Sequence, residues 1–286
     1  MRNLASPRVI KEILSEYEFR FSKSLGQNFL IDEGALSGIV TGAELSNEDF
    51  VLEIGPGFGT LTQRLLPTAK KVVSIEIDKT VIPILKENLS DFDNFEIIND
   101  DVMKIDLKSL VYEKFGTENV KVIANLPYYI TTPIILKLLE SKIGFKSITV
   151  MVQKEVAKRL CAKEGTKDFG AISLAVQYFC DAKYLFDVPN TSFMPPPKVT
   201  SAVVRMDVLN KPRVDVRDEE LFFKTIKAAF AQRRKTLLNA LSNSGFFALS
   251  KAQISEILKN ADIDEKRRGE TLSIFEFANL SDRLKK

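Results

Sequence analysis

The chain has 286 residues, 45% of them hydrophobic and 28% charged, with a net charge of +3 and no histidine. That composition belongs to a soluble globular protein long enough to bury a core without metal or disulfide staples. It excludes histidine-based triads, three-histidine zinc sites and phosphohistidine chemistry, and its two cysteines, Cys161 and Cys180, cannot build a four-cysteine site, so no metal is expected.

In chain order, residues 1–19 (MRNLASPRVIKEILSEYEF) are polar and acid-containing, unlike a secretory leader. Nowhere does the chain offer the roughly 18–20 uninterrupted apolar residues of a membrane span. A cytoplasmic protein without membrane contact is expected, and the low cysteine usage agrees with a reducing compartment. Residues 51–207 then alternate short β-rich runs with amphipathic segments. VLEI at 51–54, KVVSIE at 71–76, FEII at 95–98, VKVIA at 120–124 and SITVMV at 147–152 are strand-length apolar runs, as suits strands buried on both faces. Helical patterns fall between them, for example at 61–66 and 81–89, and this alternation implies right-handed crossovers and a mostly parallel, doubly wound α/β sheet. Two further helical stretches, near 156–160 and 172–179, precede candidate strands at 184–186 and 199–206, which are separated by a proline-stiffened loop at 190–198.

Residues 208–217 lack periodicity and read as a linker, after which the pattern is all helical. Phe222, Ile226, Ala229 and Phe230 share one face, and Ser250 with Gln253, then Ser273 with Glu276, form capping boxes. The expected organisation is therefore an α/β domain over 1–210 and a small helical domain over 211–286. The charge is divided unevenly: sixteen basic and eleven acidic residues over 211–286 leave twenty-five and twenty-seven before them, so the helical part carries the basic excess.

The first strand runs into Glu53-Ile54-Gly55-Pro56-Gly57-Phe58-Gly59, a glycine-rich turn where doubly wound sheets bind ligands. A dinucleotide fingerprint would need glycine where Thr60 stands, which disfavours NAD. The G-x-G-x-G spacing behind an acid resembles motif I of class I S-adenosylmethionine-dependent methyltransferases. Polar residues at successive strand ends strengthen that likeness. Glu76 closes the second strand, where a carboxylate can accept both ribose hydroxyls; Asp101 follows the third, within reach of an adenine amino group; Asn125 follows the fourth.

Asn125-Leu126-Pro127-Tyr128 looks like the [DNS]-P-P-[YFW] motif of methyltransferases acting on exocyclic amines of nucleobases. The nucleophile there is poor, its lone pair delocalised into the ring. An asparagine oxygen and a backbone carbonyl near Leu126 can accept its hydrogens and aim the lone pair at a sulfonium methyl without a titrating base. Pro127 fixes the carbonyl, and Tyr128 offers a ring for an extruded base.

At this point the sequence closely resembles the KsgA/RsmA family of ribosomal RNA small-subunit adenine N6,N6-dimethyltransferases over nearly its whole length. Ser24-Leu25-Gly26-Gln27-Asn28-Phe29-Leu30, Asn125 to Pro133, Phe193-x-Pro195-x-Pro197-Lys198-Val199 and Phe230-x-x-Arg233-Arg234-Lys235-Thr236 are similar to its motifs. The resemblance implies a Rossmann-like class I methyltransferase fold, with an N-terminal segment that covers RNA or cofactor and a helical RNA-binding domain. It implies S-adenosylmethionine contacts at Asn28, Leu30, Gly55, Gly57, Glu76, Asp101 and Asn125, and a target adenine sandwiched by Tyr128 and Phe193. The implied substrate is two adjacent adenosines in the 3′-terminal hairpin of 16S rRNA within a small-subunit particle, handled by a monomer. Arg233-Arg234-Lys235 read as cations closing a helix; complementarity to the helix dipole is the simple reading, and phosphate contact is the one the resemblance implies. Arg267-Arg268 forms a weaker second patch. Two alternatives stand beside this: a catalytically silent RNA-binding assembly factor, and a large-subunit rRNA adenine methyltransferase of the macrolide-resistance type.

Overall fold

The computed structural model describes residues 2–19, 22 and 26–285, so Ser24 and Leu25 of the expected N-terminal motif lie outside the described residues. In chain order the elements are α1 (Pro7–Glu16), β1 (Phe29–Leu30), α2 (Glu33–Gly42), β2 (Phe50–Ile54), α3 (Thr62–Leu65), β3 (Lys71–Glu76), α4 (Ile82–Asn88), β4 (Phe95–Asn99), α5 (Leu107–Phe115), β5 (Val120–Asn125), α6 (Thr131–Glu140) and β6 (Ser147–Gln153). They continue with α7 (Lys154–Leu160), α8 (Ala171–Phe179), β7 (Cys180–Val188), β8 (Phe193–Met194), β9 (Ser201–Val208), α9 (Glu219–Ala231), α10 (Leu237–Ser242), α11 (Lys251–Asn260) and α12 (Ile274–Leu284).

Seven strands form one sheet in the order β4-β3-β2-β5-β6-β9-β7. β2 pairs in parallel with β3 on one side and β5 on the other; β4 and β6 extend this parallel set, and β9 returns antiparallel to β6. All five expected runs are strands; the four inner ones, β2, β3, β5 and β6, are buried on both faces, whereas β4, at the sheet edge, is half-buried. Val51, Leu52, Val72, Val73, Val122, Ile123, Ile148 and Val150 all have no exposed surface, which requires helices above and below the sheet. Strand order reverses at β2, and the carboxyl ends of β2, β3 and β5 therefore border a crevice. A second, two-stranded ribbon pairs β1 antiparallel to β8, with Leu30 opposite Phe193. Two residues per strand are too few for sequence periodicity to reveal.

The chain forms two compact units, residues 1–157 with 182–208 and residues 158–181 with 209–286. Residues 158–181, expected in the α/β part, fall in the helical unit. The reason is local. The 208–217 linker is strapped to α8, with Leu209 N–H donating to the Phe179 carbonyl at 2.8 Å and Arg213 donating to the Gln177 and Cys180 carbonyls at 2.7 and 3.0 Å. Leu174 and Tyr178 of α8 are buried in one cluster with Phe222, Ile226, Ile254, Leu258 and Phe277. Both expected capping boxes form, at Ser250–Gln253 and Ser273–Glu276.

At the amino ends of the strands lies a buried charge cluster. Lys121, 2% exposed, donates to Asp49 at 2.9 Å and to the carbonyls of Ala43 and Glu44 at the end of α2; Lys146 reaches the other Asp49 oxygen at 2.9 Å. Burial alone would raise the Asp49 carboxyl, but hydrogen bonds from Lys146, Lys121 and Ser46 hold it well below the usual carboxylate range.

Candidate active site

A cavity of about 310 Å³ opens at the carboxyl ends of β2, β3 and β5. The turn after β2 forms its floor. Gly55 and Gly57 adopt φ of +69° and +58°, a region that L side chains rarely enter. A Cβ on Gly57 would lie 2.7 Å from the Phe29 ring, whereas one on Gly55 would meet nothing nearer than Pro127 at 3.9 Å and would take up cavity space. The first glycine therefore keeps the cavity open, and the second lets β1 close over the turn.

Two carboxylates stand beside this turn. Glu76, 6% exposed at the end of β3, accepts from the backbone N–H of Asp78 at 2.8 Å and of Gly57 at 3.3 Å. Burial pushes its carboxyl up, against those two hydrogen bonds. Glu53 is 1% exposed and accepts from the hydroxyls of Thr62 and Ser74, both at 2.7 Å; burial pushes it up to about 7. Neither carboxylate has a cation partner among the described residues. Asp101 accepts from Met103 N–H at 2.9 Å, and its loop is pinned by Lys137 of α6, which donates to the carbonyls of Met103 and Ile105 at 2.8 and 2.7 Å.

The amine-directed turn follows β5. Asn125 Nδ2 donates to the Asn28 carbonyl at 3.5 Å, leaving Oδ1 as an acceptor. The Pro127 carbonyl is taken by Thr131 Oγ1 at 2.9 Å and Ile130 N–H at 3.3 Å, so the carbonyl the turn offers is that of Leu126. Tyr128 is packed on the cavity wall, its phenol raised by burial and its hydroxyl sharing a 2.5 Å hydrogen bond with Ser201.

Asn28, Leu30, Gly55, Gly57, Glu76, Asp101, Asn125, Leu126, Pro127 and Tyr128 all line this one cavity, although they come from separate chain segments. Phe193 does not. It is 3% exposed and lies opposite Leu30 in the β1–β8 ribbon, within the core, so the structure does not bring it to the cavity with Tyr128, whose wall also carries the rings of Phe29 and Tyr129. Gln27, Ile77, Val102 and Tyr129 also line the cavity and had no role assigned by sequence reasoning. Ile77 carried a usable signal, an apolar residue directly after the strand-closing Glu76; in the structure it is 48% exposed and lines the cavity. Gln27 lies at the cavity edge, donating to Asp78 at 2.7 Å.

These features fit S-adenosylmethionine: a desolvated acidic floor for a ligand carrying sulfonium and ammonium charges, a carboxylate with spare lone pairs for ribose hydroxyls, and apolar walls at Ile77 and Val102 beside Asp101 for adenine. A family model described as ribosomal RNA adenine dimethylase matches residues 18–280. The chain belongs to that family. It is 55% identical over its full length to the ribosomal RNA small subunit methyltransferase A of Alkaliphilus oremlandii, 99% of which is covered. Against the protein of the same name from Clostridioides difficile it is 54% identical, covering 98% of this chain and 96% of that one. Among solved structures, a dimethyladenosine transferase from Plasmodium falciparum matches with a TM-score of 0.74 at 28% identity, over 88% of this chain and 95% of that one. The 23S rRNA methyltransferase ErmE matches with 0.67 at 25%, over 91% and 100%. The enzyme is thus an S-adenosylmethionine-dependent rRNA adenine dimethyltransferase with the Rossmann-like class I fold. Among the described residues no helix is long and apolar enough to cross a membrane.

The basic cluster of the dimethylase is placed differently from expectation. α9 ends at Ala231, so Arg233, Arg234 and Lys235 occupy the turn before α10 and none lies in the last helical turn. Arg233 is committed within its unit, donating to the carbonyls of Lys167 and Phe169, both at 2.9 Å, and facing Glu270 at 3.5 Å. Arg267, half of the weaker patch, is likewise tied to Glu276 and Thr271. Arg234 and Lys235 are exposed and make no ion pair among the described residues.

Proposed function

We propose that this enzyme, acting as a single chain in the cytoplasm, adds two methyl groups to N6 of each of two adjacent adenosines in the 3′-terminal hairpin of 16S rRNA, within a small-subunit particle. The observation that carries this reading is the junction of Asn125 and the Leu126 carbonyl with the cofactor residues in one cavity, together with 55% identity to a small subunit methyltransferase. The match to ErmE at 25% is weaker, and no observation favours the large subunit. The intact cavity argues against a catalytically silent assembly factor.

Bound S-adenosylmethionine supplies an electrophilic methyl on its sulfonium sulfur. Asn28, Leu30, Gly55, Gly57, Glu76 and Asp101 hold that cofactor, and Tyr128 stacks on the extruded adenine. Asn125 Oδ1 and the Leu126 carbonyl accept the two amine hydrogens and so fix the direction of the nitrogen lone pair. After one methylation the nitrogen keeps one hydrogen, which either acceptor can hold, so the same site serves the second transfer. The amine proton is lost only after attack, and the neutral acceptors need not titrate. Arg234 and Lys235 contact RNA phosphate, with Arg233 supporting their turn.

Mass spectrometry of nuclease digests tests the proposal after reaction with small subunits lacking these methyls, large subunits and protein-free RNA. The expected product is dimethyladenosine at two neighbouring positions, formed fastest on small subunits. Monomethyladenosine at completion, or equal rates on free RNA or large subunits, contradicts it.

A further inference from the structure

Tyr128 is held in an unusual way for a ring that must receive a base. Its backbone belongs to the turn after β5, but its hydroxyl shares a 2.5 Å hydrogen bond with Ser201, the first residue of β9 and wholly buried. The side chain is thereby fixed at both ends, by the proline turn at Cα and by a distant strand at the para position. A stacking surface needs its plane fixed; the phenolic oxygen lies on the χ2 axis, so the hydrogen bond sets the direction of the ring axis, and it biases the ring plane because a phenol hydroxyl donates and accepts close to that plane. Ser201 is itself held in place. It pairs with Gln153 in the β6–β9 ladder, and the neighbouring Thr200 carbonyl accepts from Lys154 N–H at 3.0 Å.

We infer that Ser201 is a positioning residue for the target base, acting through the Tyr128 hydroxyl to hold the ring face toward the amine site. Nothing in the motif around Asn125 identifies it: Ser201 is 73 residues further along the chain than Tyr128 and does not itself line the cavity. The inference rests on the proposed stacking of adenine on Tyr128. It also explains why tyrosine, with a hydroxyl that takes no part in stacking, occupies a position where phenylalanine presents the same ring.

The test is a double-mutant cycle of Ser201→Ala and Tyr128→Phe in the full-length enzyme, with Tyr128→Ala as reference and unmethylated small subunits as substrate. Each single hydroxyl deletion should raise KM for the particle about three- to tenfold, the range of one missing buried hydrogen bond, and the double variant should show no more than either single one. The affinity for S-adenosylmethionine, measured by calorimetry, should stay within about twofold, a change too small to account for the KM effect. A role confined to stability would leave KM unmoved, or give penalties that add in the double variant; either result overturns the role of Ser201. If Tyr128→Ala itself leaves KM unchanged, the stacking reading fails instead.

Discussion

The two ends of the central sheet treat buried charge in opposite ways. At the amino ends, Asp49 is surrounded by Lys121, Lys146 and Ser46, and its carboxyl is held low. At the carboxyl ends, Glu53 and Glu76 are as deeply buried but, among the described residues, receive only hydroxyl and backbone N–H donors, and both are raised. The first arrangement is internally neutralised and closes the bottom of the sheet by tying β2, β5 and the end of α2 together. The second has no counter-charge among the described residues and suits a ligand that brings positive charge. Burial of a charge alone therefore does not distinguish structural from functional residues; the presence of an internal counter-charge does.

Breaking the neutralised end should have the largest effect on folding. Asp49→Ala removes the carboxylate bonded to buried Lys121 and leaves its ammonium on two carbonyls, and should cost about 3–5 kcal/mol of stability by chemical denaturation. Adding Lys121→Met to that variant should restore much of the stability, since an apolar side chain of similar length needs no partner. If the double variant is no more stable than Asp49→Ala, the pair is not a closed unit.

The raised end should show the opposite pH dependence. Below pH 4.5 Glu53 is protonated in both folded and unfolded chains. Between 4.5 and about 7 the unfolded chain releases the proton while the folded one retains it, so stability falls as pH rises through this window and the cost is complete above 7. Glu53→Gln removes that cost. Relative to the parent, the variant should gain on the order of 3 kcal/mol between about pH 4.5 and 8 in cofactor-free denaturation. Asp49 has the reverse sign, its contribution being present above the unfolded carboxylate range and disappearing on acidification. Stability curves for the parent and the Glu53→Gln variant that run parallel across this range would show Glu53 to be less desolvated than its surroundings imply.

Much of this contrast was legible in the sequence, though unevenly. Strand-end residues were readable because a parallel sheet places successive carboxyl ends side by side, so Glu76, Asp101 and Asn125 could be collected in chain order. Lys121 was hidden inside an apolar run because its partner, Asp49, is distant in sequence and nothing local marks a paired lysine. The membership of 158–181 depends on Arg213 reaching back to α8, a contact without a sequence signature. The placement of Phe193 was hidden for a similar reason: its burial beside the two-residue β1–β8 pairing has no sequence signature.

At the ligand-dependent end, Glu76→Ala should weaken S-adenosylmethionine binding by about 1.5–3 kcal/mol in calorimetric titration, because charge-assisted hydrogen bonds to the ribose hydroxyls can no longer form. Because Glu76 has no cation partner among the described residues, the same change should leave the cofactor-free protein no less stable. A fall in stability comparable to that of Asp49→Ala would erase the distinction between the two ends.

The same criterion extends to the helical unit and gives the smallest effect, yet the one that most sharpens the rule. Arg233 is satisfied within its own unit by the Lys167 and Phe169 carbonyls and Glu270, whereas Arg234 and Lys235, adjacent in sequence, are exposed and unpaired among the described residues. Internally satisfied charge should serve structure and unsatisfied charge should serve the ligand. Replacing Arg234 and Lys235 by glutamine should therefore lower the logarithmic salt dependence of RNA binding by roughly 0.7–0.9 for each phosphate no longer neutralised, while thermal stability holds. Arg233→Gln should do the converse, lowering the melting temperature with little change of slope. Filter binding of the rRNA hairpin across a salt series separates the two. Equal slope changes for all three residues would mean that Arg233 exchanges its carbonyl partners for phosphate on binding, and that internal satisfaction in the free protein does not reserve a charge for structure.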